Sequence, residues 1–420
     1  MILERFISLF GLFVMIGLAW LMSSHKRRIS WRLVIGGLLL QFFLALIVIH
    51  TPPGKWLLDG TKMAFDQLMG FVDHGAGFVF GDDATNEALR KGEPIPEDSS
   101  LNQMRFAFRV LPTIIVFASL MGVLYYLGIM QFVVKIIARA MQVTLGTSGA
   151  ESLAASANVF VGHTEAPLVV RPYINGMTKS ELNAMMVGGF ATITGGLLAV
   201  YAGMGIHAGH LFTASIISAP AALLIAKVMQ PEVETPETLG HVRVKIPRRG
   251  ANLFEAIAIG ATDGLKLAVN VAVMLIAFLA MIAIVNALVG WVGSWFGLDW
   301  SLETGLGYVF SSLAWLMGIE AKECLAAGEL LGLKIVANEF IAYDRLGTMI
   351  EAEQISERSQ LILTYALSGF SNFAAIGIQI GGIGGLVPDR RSDLAKLGLR
   401  AMVGGMLACC MTACVAAILI

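Results

Sequence analysis

Asn158-Val-Phe-Val-Gly-His-Thr-Glu-Ala-Pro-Leu-Val-Val170 and Ala327-Gly-Glu-Leu-Leu-Gly-Leu-Lys-Ile-Val-Ala-Asn-Glu-Phe340 set carboxylates, amides and a histidine inside a chain otherwise built for lipid. A charged residue at the centre of a membrane helix costs about 2.5–3.5 kcal/mol on insertion scales. Glu165, Glu329 and Glu339 nonetheless stand among apolar neighbours. That pattern predicts a polar binding site at membrane depth. In the first stretch Gly162 and Pro167 interrupt a helix, since proline lacks a backbone donor and glycine lacks a side chain. Between them His163-Thr164-Glu165 can present side chains and free backbone groups to a cavity. The plainer alternative is a buried polar cluster that only locks the tip. In the second stretch Glu329 and Asn338 lie nine residues apart with Gly332 between them. A turn there brings a carboxylate beside an amide, a pair that suits a vicinal diol. The plainer alternative pairs Glu329 with Lys322 or Lys334.

Working outward, the 420 residues are 56% hydrophobic and 14% charged, with a mean hydropathy of +0.75. A soluble domain is closer to ~25% charged, so the class is a polytopic membrane protein. The net charge of -1 suggests no nucleic-acid partner. Cys324, Cys409, Cys410 and Cys414 show no CxxC spacing and read as small apolar fillers rather than disulfide or metal ligands. No GxxxxGK[ST] loop marks an ATP motor. No nucleophile elbow or HExxH accompanies His163 and Glu165, so the chain does not read as an enzyme. The first apolar run lacks a cleavage pattern and is expected to be a retained span.

Apolar runs near the ~20 residues that a span requires cover Phe6–Met22, Leu33–His50, Phe108–Phe132, Leu182–Gly203, Leu211–Val228, Leu265–Val289, Leu361–Ile383 and Leu397–Ile420. About eight transmembrane helices are therefore expected. Ala150–Tyr173 and Glu320–Tyr343 are too polar and too rich in Gly and Pro for spans. They read as two opposed re-entrant hairpins, which membranes tolerate only inside protein or beside water. Thr304–Gly318 fits a short span or an interfacial helix, and Trp56–Val72 an amphipathic surface helix. The basic loops at Ser23–Arg32, around Arg243, Lys245, Arg248 and Arg249, and at Arg390, Arg391 and Lys396 all fall on one side of an eight-span chain. That side is expected to be cytoplasmic. Both termini are then outside, with the segment Thr51–Asn102 and its Asp59, Asp66, Asp73, Asp82, Asp83, Glu87, Glu93, Glu97 and Asp98.

An internal repeat sharpens the fold. Met186-Val-Gly-Gly-Phe-Ala-Thr-Ile-Thr-Gly-Gly-Leu197 resembles Ala366-Leu-Ser-Gly-Phe-Ser-Asn-Phe-Ala-Ala-Ile-Gly377, and each copy follows a candidate hairpin. An odd number of crossings between them makes the repeats inverted. Inverted repeats with discontinuous helices are the mark of secondary transporters with a midplane site. Phe370 and Asn372 stand at the Gly-Phe-Ser-Asn break, where Phe370 can pack on a flat ring or serve only as core. The expected organisation is 1–104 (first spans and a surface segment), 105–262 (third span, first hairpin and following spans) and 263–420 (sixth span, second hairpin, a discontinuous seventh span and the last).

At these residues the chain resembles the concentrative nucleoside transporter family, notably its bacterial members. The resemblance runs through Phe108-Arg-Val-Leu-Pro112, Val161-Gly-His-Thr-Glu-Ala-Pro-Leu-Val-Val-Arg-Pro172, Val336-Ala-Asn-Glu-Phe-Ile-Ala-Tyr343 and Gly369-Phe-Ser-Asn372. It implies an all-α homotrimer in the cell inner membrane. A scaffold part would hold the trimer, and a transport part would move elevator fashion to import nucleosides by symport with sodium. No other cofactor is implied. By position, Gly162, His163, Thr164 and Glu165 would meet the nucleobase, with Leu197 and Leu265 lining its pocket. Glu329, Asn338, Asn372 and Phe370 would hold the ribose, and Asn158, Val161, Thr192 and Ile193 the sodium ion. His163 replaces a usual Gln, Ala375 a Ser that reaches the ribose, and Thr192 a Ser. In the animal branch, residues like Gly162 and Thr192 accompany acceptance of purines. The near alternative is a proton-coupled nucleoside symporter in which Glu165, Glu339 or His163 titrates. The neutral oxygens of Asn158 and Thr192 favour sodium.

Overall fold

The computed structural model describes residues 2–81, 85, 87–88, 91, 106–239, 250–298 and 300–420. The acidic positions Asp82, Asp83, Glu93, Glu97 and Asp98 and the basic positions Arg243, Lys245, Arg248 and Arg249 lie outside the described residues. Every regular element among the described residues is helical, with no strand. The helices are α1 Ile2–Leu21, α2 Trp31–His50, α3 Pro52–Phe80, α4 Leu111–Tyr126, α5 Ile129–Leu145, α6 Gly149–Asn158, α7 Ala166–Val170, α8 Lys179–Ala191 and α9 Gly195–Gly203. After them come α10 Ala208–Met229, α11 Leu253–Ser294, α12 Leu302–Leu316, α13 Cys324–Val336, α14 Glu339–Glu351, α15 Glu357–Leu367, α16 Phe373–Leu386 and α17 Arg391–Leu419.

Among the described residues, six helices are long and apolar enough to cross a bilayer, with α8 and α9 taken together as one, or seven if the bent pair α4–α5 is one span. The run expected as a discontinuous seventh span, Leu361–Ile383, falls on two shorter helices, α15 and α16. The run Phe108–Phe132 is not one straight helix. It bends by 78° between α4 and α5, at Gly128, whose φ of 81° is left-handed. The surface helix expected over Trp56–Val72 is the longer α3, opened by Thr51 and the Pro52-Pro53 pair. Apolar length alone undercounts α11, which starts twelve residues before Leu265 at an Asn252 cap.

Packing follows small residues, because close approach of backbones is what joins helices in lipid. A Cβ on Gly260 would lie 2.5 Å from Ala118 O, and one on Gly122 2.5 Å from Ala256 O, so α4 and α11 touch backbone to backbone. A Cβ on Gly328 would stand 2.4 Å from Gly307 O, which binds α13 to α12 in the same way. The run Thr304–Gly318 is thus a short helix laid on the second polar stretch. At the centre α8, α10 and the part of α17 from Ala401 to Ala417 are almost wholly buried. Ser24 N donates to Met229 O (3.0 Å), and Arg400 donates to the carbonyls of both Met22 and Met229. The basic loop after α1 therefore lies at the same end of the bundle as the end of α10. At the other end Arg5 donates to Ile420 O (2.8 Å) and His50 bonds Leu419 O (2.9 Å). Start and finish of the described chain therefore lie at the same end of the bundle.

Candidate functional site

Both repeat copies break within the matched segment. The first unwinds over 192–194 between α8 and α9, the second over 368–372 between α15 and α16. Each restarts under a side-chain cap: Thr194 Oγ1 accepts from Leu197 N (3.2 Å), and Asn372 Oδ1 from Ala375 N (2.8 Å). The two breaks touch, because Ser371 Oγ donates to Phe190 O (2.8 Å). A Cβ on Gly369 would lie 2.6 Å from that same carbonyl oxygen, so only glycine allows the approach.

The first polar stretch docks on the first break. Helix α6 ends at Asn158, the chain turns, and α7 restarts at Ala166 with Pro167 in its first turn. Gly195 N donates to Phe160 O (3.1 Å). A Cβ on Gly162 would meet Thr194 Cγ2 at 2.5 Å, and one on Gly188 would sit 3.0 Å from Asn158 Nδ2. Asn158, Val161, Thr192 and Ile193 are all buried here, at the C-terminal ends of α6 and α8. Both polar atoms of the Asn158 side chain lack a hydrogen-bond partner. Thr192 Oγ1 donates to Gly188 O (2.9 Å), which leaves its lone pairs open. Leaving a buried polar group unsatisfied costs about 1–3 kcal/mol, so an orphaned amide this deep points to a ligand. Neutral oxygens beside two helix C-termini suit a small cation.

The second stretch is organised around Glu339. Helix α13 ends at Val336, and Asn338 caps α14 by accepting from Ile341 N (3.0 Å). Glu339 is the first residue of α14 and is buried. Its Oε1 accepts from Tyr201 O–H (2.9 Å) and its Oε2 from Asn372 Nδ2 (3.1 Å). The N-termini of α14 and α16 both meet at this carboxylate, where their dipoles favour negative charge. The ring of His163 stands edge-on to Phe370 with centroids 4.8 Å apart. Lys334, buried between the arms, donates to Ala366 O (2.9 Å) at the end of α15 and not to Glu329.

His163 thus meets Phe370, and Asn372 meets Glu339, the chain neighbour of Asn338. Two expectations fail. Glu329 is not in the cradle: it pairs with Arg345 (2.9 Å) and presses on Gly307 of α12. The carboxylate beside Asn372 is Glu339, ten residues on, since the break falls at 337–338 and not at Gly332. Leu265 does not line the cavity beside the first tip. It is about half exposed, and a cavity of about 120 Å³ is lined instead by Ile259, Asp263 and Leu267 of α11. At 100° per residue Leu265 points away from Asp263 and Leu267, two positions to either side. That cavity reaches the first tip through Val161 and Glu165 but includes neither Glu339 nor Asn372. Thr164 is exposed at the tip, and Leu197 is buried in the first turn of α9. Sequence reasoning missed Tyr201, Ser371 and Gln379. Their only signal was polarity inside apolar runs.

Comparison with known proteins matches this architecture along its length. Models described as Na+ dependent nucleoside transporter N-terminus, Nucleoside recognition and Na+ dependent nucleoside transporter C-terminus match residues 10–83, 107–208 and 210–417. An uncharacterized transporter of Haemophilus influenzae is 42% identical, over 98% of this chain and 97% of its own. Sodium/nucleoside cotransporter 1 of Rattus norvegicus is also 42% identical, over 99% of this chain but only 64% of its own. The chain spans about three fifths of the vertebrate relatives that it matches. Among solved structures, CNTnw in an inward-facing substrate-bound state superposes with a TM-score of 0.88 at 40% identity, covering 99% of this chain and 97% of that one. A doubly substituted variant of CNTnw in an outward-facing state gives 0.91 at 39% identity, covering 100% and 98%. Neighbours caught facing either way support alternating access. With its two docked helix breaks and matches that run nearly end to end, the chain belongs to the Na+ dependent nucleoside transporter family, whose members are membrane transporters and not enzymes.

Proposed function

We propose that this protein is a symporter that imports nucleosides across the cell inner membrane with sodium, as a homotrimer working by an elevator motion. The carrying observation is the meeting of the two breaks. It places an orphaned buried amide, Asn158, and a carboxylate–amide pair, Glu339 with Asn372, on segments joined by the Ser371–Phe190 bond. In this reading α6–α7 and α13–α14 are the two re-entrant hairpins, and the split α15–α16 completes eight spans. Glu339 accepts from the ribose hydroxyls, and Asn372 and Asn338 add amide contacts. The base lies against Phe370 and is read by the first tip, Gly162 to Glu165. Asn158 Oδ1, Thr192 Oγ1 and the carbonyls of Val161 and Ile193 hold sodium, whose bound charge closes the tip over the site. The bared apolar surface of α11, with Ile276, Leu279, Ile284 and Leu288 exposed, supports contact with lipid and partner subunits.

One sodium ion supplies enough free energy. A charge gains ~2.3 kcal/mol per 100 mV, and a tenfold gradient adds ~1.4 kcal/mol. Together they support accumulation of several hundredfold. The test is uptake of labelled nucleosides by liposomes holding the purified protein. Sodium is imposed outside or replaced by choline, at two pH values. Uptake beyond equilibrium is expected only with inward sodium. Uphill uptake that ignores sodium and follows a pH gradient would replace sodium by the proton. Equilibration without accumulation would end the symport reading.

A further inference from the structure

Gln379 is the one amide in the apolar run Ile-Gly-Ile-Gln-Ile of α16. It lies seven residues after Asn372 and four after Ala375, so all three share the inward face of the helix. It is buried, with 1% of its surface exposed. Its Nε2 donates to Met186 O of α8 (3.2 Å). That bond settles the amide orientation, since the opposite one would set oxygen against oxygen. Its Oε1 is left without a donor. Both ring nitrogens of His163 are also buried and unpartnered. The two residues meet over Gly189: a Cβ there would lie 2.6 Å from His163 Cβ and 2.9 Å from Gln379 Nε2. The next tip residue continues the contact, as a Cβ on Gly382 would sit 3.7 Å from Thr164 Cγ2.

Three orphaned polar atoms on two side chains that flank one glycine have a simple resolution. A neutral imidazole carries one N–H donor and one acceptor, and the partner of one nitrogen decides what the other offers. We infer that Gln379 is the positioning residue for base selection: its Oε1 takes the N–H of His163, fixes the ring tautomer, and leaves the other nitrogen facing the nucleobase as an acceptor. The inference rests on His163 reading the base. The site then favours nucleosides whose facing edge carries a donor.

The test compares Gln379→Leu, Gln379→Glu, His163→Gln and the His163→Gln/Gln379→Leu pair in liposome uptake. Nucleosides are paired by edge: adenosine against inosine, and cytidine against uridine. Gln379→Leu should change the ratio of KM values within a pair by about tenfold, the scale of one lost hydrogen-bond preference. KM for sodium and maximal rate should hold. Gln379→Glu, which keeps an acceptor, should restore the wild-type ratio. In the His163→Gln background Gln379→Leu should add nothing, because neighbours acting as one unit are not additive. An equal KM change for all nucleosides, or a changed sodium KM, makes Gln379 packing only and overturns the inference. A shift that survives in the His163→Gln background also overturns it, since Gln379 would then touch the base itself. If His163→Gln alone leaves every ratio unchanged, the underlying base-reading role of His163 has failed instead, and the inference with it.

Discussion

Glu339→Gln separates the two carboxylates of the second polar stretch. The carboxylate accepts from Tyr201 on one oxygen and from Asn372 on the other. An amide can still accept from the tyrosine, but it turns a second donor toward Asn372. Asn372 cannot flip to suit, because its Oδ1 already caps α16. With its NH2 toward Asn372 the variant sets two N–H groups across about 3 Å; flipped, it donates to the Tyr201 oxygen and takes away the acceptor of that hydroxyl, so either way one buried polar group is left unpaired, at about 1–3 kcal/mol. It also loses the charged acceptor for the sugar. Charge-assisted hydrogen bonds contribute roughly twice a neutral one, about 1.5–3 kcal/mol. The combined effect on nucleoside affinity is at least about thirtyfold at 1.4 kcal/mol per decade.

Glu329→Gln is the control. Glu329 pairs with Arg345, whose side chain is 44% exposed, and such pairs contribute little. Its affinity should stay within about twofold of wild type, a difference below ~0.5 kcal/mol. The assay is isothermal binding in detergent with saturating sodium, using uridine and its 2′-deoxy analogue. Wild type should lose affinity for the deoxy sugar, and Glu339→Gln should discriminate little between them. Near wild-type binding by Glu339→Gln, or a loss in Glu329→Gln of equal size, would refute the assignment and return the ribose to Glu329.

Two further outcomes test the frame around the site. Lys227→Met strips the cation from Glu151 (2.6 Å) and Glu232 (3.1 Å). Because Glu151 is buried, the loss should be about 3–5 kcal/mol, seen as a large fall in melting temperature that Glu151→Gln partly restores. Gly128→Ala meets no atom within 4 Å, so only its left-handed φ of 81° counts. A loss of about 1–2 kcal/mol is expected in the same melt, and an unchanged melting temperature would mean that the α4–α5 bend does not depend on that glycine.

The breaks were readable in the chain because they are made by local chemistry. Gly162 and Pro167 interrupt one helix, and the repeated Gly-Phe motif marks the two others. Intramembrane carboxylates were equally visible, Glu339 among them. What could not be read was which of two carboxylates faces the cradle. Glu329 and Glu339 lie ten residues apart, about 2.8 helical turns, so on a continuous helix they would stand only about 80° apart and both could border one face. Only the unwinding at Ala337 and Asn338, fixed by the Asn338 cap, turns Glu339 toward Tyr201 and leaves Glu329 with Arg345. Leu265 failed for a similar reason. Its run carries only Lys266, Asn270 and Asn286 as polar side chains, too few to show which side of α11 looks inward until Gly260 and Gly264 pack on α4. The Gly128 bend is hidden because both flanking helices are apolar enough to read as one.

Coupling between ion and sugar has a short physical route here. The orphaned amide of Asn158 and the oxygens at Thr192 sit at the first break, and Asn372 with Glu339 at the second. The direct polar link between the breaks is Ser371 Oγ to the Phe190 carbonyl, and the ring contact of His163 with Phe370 is the apolar one. An ion that orders residues 192–194 thereby orders Ser371, the neighbour of Asn372, and the sugar must order the ion site by the same amount. Ser371→Ala removes a bond of about 0.5–1.5 kcal/mol. The boost that sodium gives to nucleoside affinity should fall by about two- to tenfold, and the boost that nucleoside gives to sodium affinity by an equal factor. Nucleoside affinity without sodium should hardly move. If the two boosts fall unequally at equilibrium, or if nucleoside affinity drops just as far without sodium, Ser371 supports the cradle alone and the ion communicates with the sugar by another path.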